Sequence, residues 1–543
     1  MSNAPSRSDL FWCQTCGVPL LTRTCESCGG TGVRVVSDMR PVFPEEKHLL
    51  EQQLGEKLPG PCELLWMRRG TIWFNGGRLL HLSSDREPSL YKRYELSRLA
   101  IQTPKRIPSA HTYLSANRSA LEKSVCESLG FIQSAVEQFR TRPVVVSFSG
   151  GKDSTVVSHL VRRALPSEII NHAFGDTGVE YPDTYRYMEC FQATNLDVRL
   201  SIARPKSEWY GMCEKLGPPS RLTAWCCSVF KAVTLADVFH VLNGHGGVLA
   251  FEGVRRLESR RRRNRPPIYE GGKIGAQVLA RPILNWRDVD VWLYILAHGL
   301  EFNPAYRLGL PRVGCLYCPH QKNSTDRLLE EVYPEAMARW RQYIIDYASV
   351  NGKTDPEDYW YSGAWKFRVG STDAARSTYI AARPCTDGDN ITNLMLARDF
   401  QPDSVVEYLR PLGQIARTET PMGPLFTVRS LDGSVFSVHG VEGMPRAKVV
   451  ILNAKNRHRS VQTITRQLRR FQCCVHCGAC ASVCPIGAIQ VDPGAGTYEI
   501  DEASCTSCGE CTSTKNLKAG CVKINTSYGK PKMTSEIANG ARL

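Results

Sequence analysis

Val144-Val-Val-Ser-Phe-Ser-Gly-Gly-Lys-Asp-Ser-Thr155 decides the fold. Val144 to Phe148 reads as a short buried strand, and Ser154 to Leu165 as a helix with Val156, Val157, Leu160 and Val161 on one face. Between them, Gly150 and Gly151 let backbone come close to a ligand, and the amides at the start of the helix point at it. Lys152 adds a point charge, and Ser147, Ser149 and Ser154 add hydroxyls. The turn is built for phosphate, yet it is not a Walker loop, because G-x4-G-K-[ST] is absent.

The run Ser149-Gly-Gly-Lys-Asp-Ser154 resembles the pyrophosphate (PP) loop of N-type ATP pyrophosphatases. That resemblance implies an α/β fold, a parallel-sheet adenine nucleotide α-hydrolase-like domain, and cleavage of ATP between its α and β phosphates. The surrounding 200 or so residues resemble the phosphoadenylyl-sulfate (PAPS) reductase family. Phe174-Gly-Asp-Thr-Gly-Val-Glu-Tyr-Pro-Asp-Thr184 is similar to that family's second nucleotide-side motif, and Gly253-Val-Arg-Arg-Leu-Glu-Ser259 to its arginine motif. Pro282-Ile-Leu-Asn-Trp-Arg-Asp-Val-Asp-Val-Trp292 and Asn303-Pro-Ala-Tyr306 are similar to its later helix and loop, with Trp286 and Trp292 read as core. The resemblance implies ligand contacts for Arg255 and Arg256, since guanidinium forks match phosphate or sulfate oxygens; a surface ion pair is the plainer alternative. Lys152 and the loop amides are expected to stabilise charge on the β-phosphate side. Asp153 or Asp176 is expected to orient magnesium, with a helix cap as the alternative for Asp153.

Twenty-two cysteines in a chain with no apolar leader point to metal or redox chemistry. Cys13-x2-Cys16 and Cys25-x2-Cys28 converge four thiolates on a tetrahedron that suits structural zinc, with a mononuclear iron site as the alternative. Cys474-x2-Cys477-x2-Cys480-x3-Cys484-Pro485, followed by Cys505-x2-Cys508-x2-Cys511 and then Cys521, resembles a two-cluster ferredoxin. In that family the fourth cysteine of each run crosses over. The resemblance therefore implies one [4Fe-4S] cluster on Cys474, Cys477, Cys480 and Cys521, and another on Cys505, Cys508, Cys511 and Cys484. Cys226-Cys227 with Cys315-x2-Cys318 resembles the set that holds one [4Fe-4S] cluster in adenylyl-sulfate reductases, which implies a third cubane; zinc or buried free thiols are the alternatives.

Two departures from the reductases bear on function. Their nucleophilic cysteine lies in an E-C-G-[IL]-H stretch, which this sequence lacks, and their loop is usually eroded where this one is complete. Relatives with both an intact loop and a cubane include the DNA phosphorothioation sulfurtransferase subunit and iron–sulfur tRNA thiolases. The expectation is adenylation by ATP with magnesium, coupled to sulfur transfer onto a nucleic acid, tRNA or DNA. A sulfur donor such as a cysteine desulfurase and an external electron donor are implied. The sulfur-carrying residue is open among Cys213, Cys385 and the central cluster. A sulfite-releasing sulfonucleotide reductase and a non-catalytic nucleic-acid-binding subunit are the competing readings.

The bulk properties agree. Net charge is +15, with a run at Arg260-Arg-Arg-Arg263, favouring anionic partners from nucleic acid to a small phosphate ester, with a solvated basic face as the alternative. No apolar run reaches a membrane-spanning length, so no membrane partner and a cytoplasmic location are expected. The expected divisions are a zinc ribbon over 1–35, a small β-containing module over 40–115, and the PP-loop domain over 117–345. A mixed helical and β-rich module over 346–465 and a ferredoxin domain over 466–530 follow. Leu425–Arg429 and Ser434–His439 read as a hairpin around Leu431-Asp-Gly433.

Overall fold

The computed structural model describes residues 9–83, 92–95, 107–368, 380–385, 388–512 and 521–525; the side chain of Cys385 and the chain beyond Asn525 lie outside what it describes. Val144–Ser147 is a central strand of a six-stranded sheet. The sheet order is Val198–Ala203, Ile170–Gly175, Val144–Ser147, Val248–Glu252, Gln277–Ala280 and Ile268–Glu270, parallel except for the last. The valines explain its place: Val146 faces a core with Val156, Val157, Leu160 and Val161 of the loop helix Lys152–Ala164, while Val145 faces Ala173, Phe239 and Ala250 on the other side. A strand buried on both faces reads as a continuous apolar run, as this one does. Trp286 and Trp292 lie in the first of these cores.

A second, aromatic core lies beside the sheet. Tyr317 stacks on Trp340 at 4.7 Å, and Trp209, Trp225, Phe230 and Trp365 pack around them. This core runs past residue 345 and takes in the helices Pro334–Val350 and Pro356–Tyr361, because Trp340, Trp360 and Trp365 have nowhere else to bury their rings.

The N-terminal strands Phe11–Cys13, Val18–Leu20 and Val33–Arg34 form a small sheet. Its Trp12 donates to Asn75 at 2.9 Å and packs with Trp66, Val289 and Leu293, so the ribbon leans on the helix Asp288–His298. A five-stranded antiparallel sheet spans Arg40–Pro41 to Lys92–Glu95. Toward the C-terminus, six antiparallel strands between Ala381–Cys385 and Arg446–Asn453 carry the helices Pro402–Leu409 and Arg457–Cys473 on one face. The hairpin turns where Gly433 adopts φ 82°, joining Gly423–Ser430 to Val435–His439. Helix Arg457–Cys473 leads directly into the cysteine run. Among the described residues, no helix is long and apolar enough to cross a membrane.

Candidate functional site

The loop leaves the C-terminal end of Val144–Ser147 and enters the helix Lys152–Ala164. Gly150 sits at φ 69°, a left-handed conformation that glycine adopts without strain. Ser154 Oγ donates to the Gly151 carbonyl at 2.8 Å and accepts from the Ser149 amide at 3.3 Å, closing the turn on itself. The Lys152 amide donates to the Tyr306 hydroxyl at 3.0 Å. Ser147 lies at the end of the strand, in register with Glu252.

Beneath the loop is a buried charge network. Lys152 Nζ lies 2.9 Å from both Asp153 Oδ2 and Asp288 Oδ1. Arg255 Nε donates to Asp153 Oδ1 at 2.6 Å, and its Nη2 to Asp288 Oδ1 at 2.7 Å. Two cations are thus balanced by two carboxylates. Burial pushes the Lys152 ammonium and the Arg255 guanidinium down, but Asp153 and Asp288 hold both above their ordinary ranges. Burial pushes Asp153 up, yet Arg255 and then Lys152 bring it down to about 2. Asp38 caps the helix Asp288–His298, accepting from the Asp288 and Val289 amides at 3.2 and 3.0 Å. Burial and then Asp288 raise its carboxyl to about 6.

Sequence reasoning quoted Asp288 only as part of a helix motif and passed over Asp38. No linear signal marks either, since their partners come from distant segments. Asp176 follows the strand Ile170–Gly175 and accepts from the Gly178 amide at 2.8 Å, Tyr185 at 2.9 Å and Arg204 at 3.1 Å. Arg256 stands apart from the network, donating to Asn285 at 3.0 Å and the Arg263 carbonyl at 2.8 Å.

The central cysteines are tied to the nucleotide-side motif. Cys315 forms an isolated antiparallel bridge with Glu180, and the Leu316 amide donates to the Val179 carbonyl at 2.7 Å. Asp176 and the cysteine loop are therefore joined through five consecutive residues, Asp176 to Glu180. Thr177 donates to Glu180 Oε1 at 2.7 Å with Cys315 Sγ 3.6 Å from the same hydroxyl, Arg312 donates to Cys318 Sγ at 2.9 Å, and Lys231 lies 3.4 Å from Glu180. Cys226 is buried and directly precedes the π-helix Cys227–Ala232, a rare wound turn that often marks functional positions. Cys213 is buried in the aromatic core, where burial pushes its thiol far up.

The other two cysteine sets differ in spacing. Cys13 and Cys28 sulfurs are 3.5 Å apart, and Cys16 and Cys25 3.8 Å. Tetrahedral zinc–thiolate bonds of about 2.3 Å require sulfurs roughly 3.8 Å apart, so this set fits a single zinc ion. Among the described residues it is the one group whose ligand atoms all lie within 4.8 Å of one another. A cubane puts each sulfur on a different iron and needs a wider frame. Two such frames occur in the C-terminal domain. One pocket is lined by Cys474, Cys477, Cys480 and Cys521, with Tyr408, Arg470 and Tyr498. Another is lined by Cys484, Cys505, Cys508 and Cys511.

The first cavity abuts the nucleotide domain. Cys477, Val475 and Ala479 pack into the same core as Cys226, Cys227 and Cys315. A Cβ on Gly478 would stand 3.1 Å from Val233, at the end of the π-helix, and the Gly275 amide donates to the Ser482 carbonyl at 2.9 Å. The second set lies against the β-rich module, with Cys508 exposed.

Residues 143–321 match the family described as the phosphoadenosine phosphosulfate reductase domain, and residues 473–514 the 4Fe-4S dicluster domain. Adenosine 5'-phosphosulfate reductase of Streptomyces coelicolor is 31% identical over 40% of this chain and 84% of that protein. The chain belongs to the phosphoadenosine phosphosulfate reductase family of enzymes. This family member carries a 4Fe-4S dicluster domain after its nucleotide domain. An uncharacterized protein of Methanocaldococcus jannaschii is 29% identical over 47% of this chain, which spans about half (51%) of that protein's length. The phosphoadenylyl-sulfate reductase structure from Candida auris, a phosphate complex, aligns over 34% of this chain and 87% of that one at 17% identity, with a TM-score of 0.27.

Proposed function

We propose that this family member adenylates its acceptor with ATP, releases pyrophosphate, and couples that activation to sulfur transfer onto a nucleic acid. The observation that carries the reading is the complete Ser149–Ser154 loop, at the centre of the sheet and on the same frame as the central cysteines.

The loop amides and the Ser147, Ser149 and Ser154 hydroxyls hold the phosphates. Lys152 and Arg255 stabilise charge as it develops toward the leaving pyrophosphate, exchanging part of their carboxylate contacts for phosphate oxygens. Asp153 and Asp176 are the carboxylates available to magnesium. An acceptor oxygen attacks the α-phosphorus, the bond to the bridging oxygen breaks, and pyrophosphate leaves. A persulfide from a donor such as a cysteine desulfurase then displaces AMP, forming the new carbon–sulfur bond. Breaking the remaining sulfur–sulfur bond takes two electrons and releases the donor's thiolate; an external reductant would supply the electrons.

Cys226, Cys227, Cys315 and Cys318 would hold the central cluster, and the two C-terminal sets would hold the others, as would the N-terminal four a zinc ion. Such clusters supply one-electron transfer when bound. Thr177, Lys231 and Arg312 orient the central thiolates and offset their charge. Cys477 packs into the core of the central set and Cys508 is exposed, so clusters held by these two C-terminal sets would supply electron transfer between solvent and that core.

A second reading, sulfite release from a sulfonucleotide, is favoured by the name of the Streptomyces coelicolor relative and weakened by the missing E-C-G-[IL]-H stretch. The test is anaerobic turnover with each nucleotide. Pyrophosphate from ATP, lost in Lys152→Ala with iron retained, supports the first reading; sulfite from adenylyl sulfate without pyrophosphate from ATP supports the second.

A further inference from the structure

Arg255 ends in the charge network under the loop, and the residues after it carry the run of arginines. The Glu258 carboxylate accepts from the Arg255 amide at 2.9 Å and pairs with Arg262. Successive short bonds wind the chain into a compact turn: Arg262 amide to Ser259 carbonyl at 3.0 Å, Arg263 to Arg260 at 3.4 Å, and Arg265 to Arg262 at 3.1 Å. Arg256 braces the turn from inside through Asn285 and the Arg263 carbonyl. The run of arginines is thus a formed structure rooted on the loop.

Its charge is not balanced. Glu258 serves Arg262, and Glu252 serves Arg281 at 2.6 Å and Arg265 at 3.7 Å. Among the described residues, no acidic group pairs with the exposed Arg260, Arg261 and Arg263. The crowding is felt inside the group: burial, and then Arg281, Arg262 and Arg261, hold Arg265 below the ordinary arginine range despite Glu252. Like charges pressed together cost free energy that a polyanion recovers by displacing counterions. Guanidinium forks also match phosphate oxygens two at a time.

Placement selects the partner. Glu252 pairs with Ser147 in parallel register, so the arginine turn and the phosphate loop leave the same carboxyl edge of the sheet. Arg260, Arg261 and Arg263 are each exposed along one turn, which suits an extended chain of phosphates over a single small anion. We propose that this turn is a docking lip for the sugar–phosphate backbone of the acceptor nucleic acid, delivering it to the nucleotide loop. The inference rests on the reading above that the acceptor is a nucleic acid, and it names the surface that receives it.

The test is fluorescence anisotropy of a short labelled single strand of RNA, its DNA counterpart and a tRNA transcript, with anaerobically prepared full-length protein over a range of salt. Arg260→Ala/Arg261→Ala/Arg263→Ala is expected to lose about tenfold or more in affinity for the preferred strand. The slope of log affinity against log salt should become shallower by about 2, three lost phosphate contacts at roughly 0.7 each. The corresponding triple lysine variant should keep most of the slope. Iron content and ATP binding serve as separate readouts; if they persist while strand binding is lost, the lip is supported and nucleotide binding is untouched. Wild-type affinity and slope in the triple alanine variant, or no strand binding by the wild type, overturns the lip, whatever the fate of ATP turnover.

Discussion

Arg255 Nε donates to Asp153 Oδ1 at 2.6 Å, across 102 positions of the chain. Asp288 completes the arrangement by accepting from both Arg255 and Lys152. A neutral quartet thus lies under the glycine loop. Removing one carboxylate leaves two buried cations sharing a single partner, a costly state. Asp288→Asn should lower the melting temperature of the nucleotide-free protein, by an amount equivalent to roughly 1–3 kcal/mol. Added ATP should raise the melting temperature of the variant more than that of the wild type, because the phosphates replace the missing charge. Equal ATP-induced shifts in the two proteins would count against the quartet as part of the nucleotide site.

Gly253 passes directly behind the loop. A Cβ there would stand 2.7 Å from the Asp153 carbonyl carbon and 2.9 Å from the Ser154 nitrogen, both backbone atoms with little room to yield. Gly253→Ala should therefore displace the loop at a cost of about 1–3 kcal/mol. Calorimetry is expected to show ATP affinity reduced at least tenfold, with zinc and iron content unchanged. Retained affinity would mean that the phosphates do not rest on this part of the backbone.

The N-terminal four thiolates have the spacing of a single small ion. Metal analysis should find one zinc per chain, lost in Cys25→Ser, while iron stays constant. Trp12, buried against Val289 and Leu293, should then become exposed and shift its fluorescence to the red. Iron in place of zinc at this set would sink the assignment.

The two C-terminal sets should be separable. Cys477→Ala is expected to remove about four irons per chain and one of the paired signals in electron paramagnetic resonance, while the set containing Cys508 remains reducible. If Cys477 lies on the route to the central cysteines, the remaining outer centre should be reduced without reduction of the central one. Unchanged reduction of all remaining centres would remove Cys477 from that route.

His172 is fully buried in the strand Ile170–Gly175 and stays neutral, with Nδ1–H donating to the Ile170 carbonyl at 3.1 Å and Nε2 facing the Ser158 hydroxyl at 2.8 Å. Burial holds it down at about 4, whereas an unfolded imidazole titrates near 6.5. Between those values the unfolded chain binds more protons, so this stability is complete above about 6.5 and drains as pH falls toward 4, on the order of 3 kcal/mol in all. The melting temperature should fall over this window, and His172→Gln should melt lower at neutral pH but with a flatter acid limb. An acid limb as steep as the wild type's would assign the sensitivity to other groups.

Much of the fold was legible because its signals are local. Val144 to Val161 carries the strand, the turn and the helix within one short stretch, and burial on both faces explains the unbroken valines. The cysteine runs are local too: turn geometry brings C-x2-C thiolates together, whatever the rest of the chain does. The arginine turn at Arg260 to Arg263 was visible only as charge.

Relations between distant segments were not legible. The quartet joins a loop, a turn and a helix start, so Asp288 and Asp38 acquire meaning only when three segments meet. The bridge between Glu180 and Cys315, and the seating of Cys477 against the core of Cys226 and Cys227, depend on how two independently patterned domains bury shared apolar surface. The amino-acid order by itself determined where the strand, loop and helix form and which C-x2-C thiolates lie side by side, because those follow from periodicity and short-range geometry. Only the tertiary structure decided which charges face each other and which cysteine set adjoins the strand-to-helix domain, because burial and electrostatics act through space between residues the sequence keeps far apart.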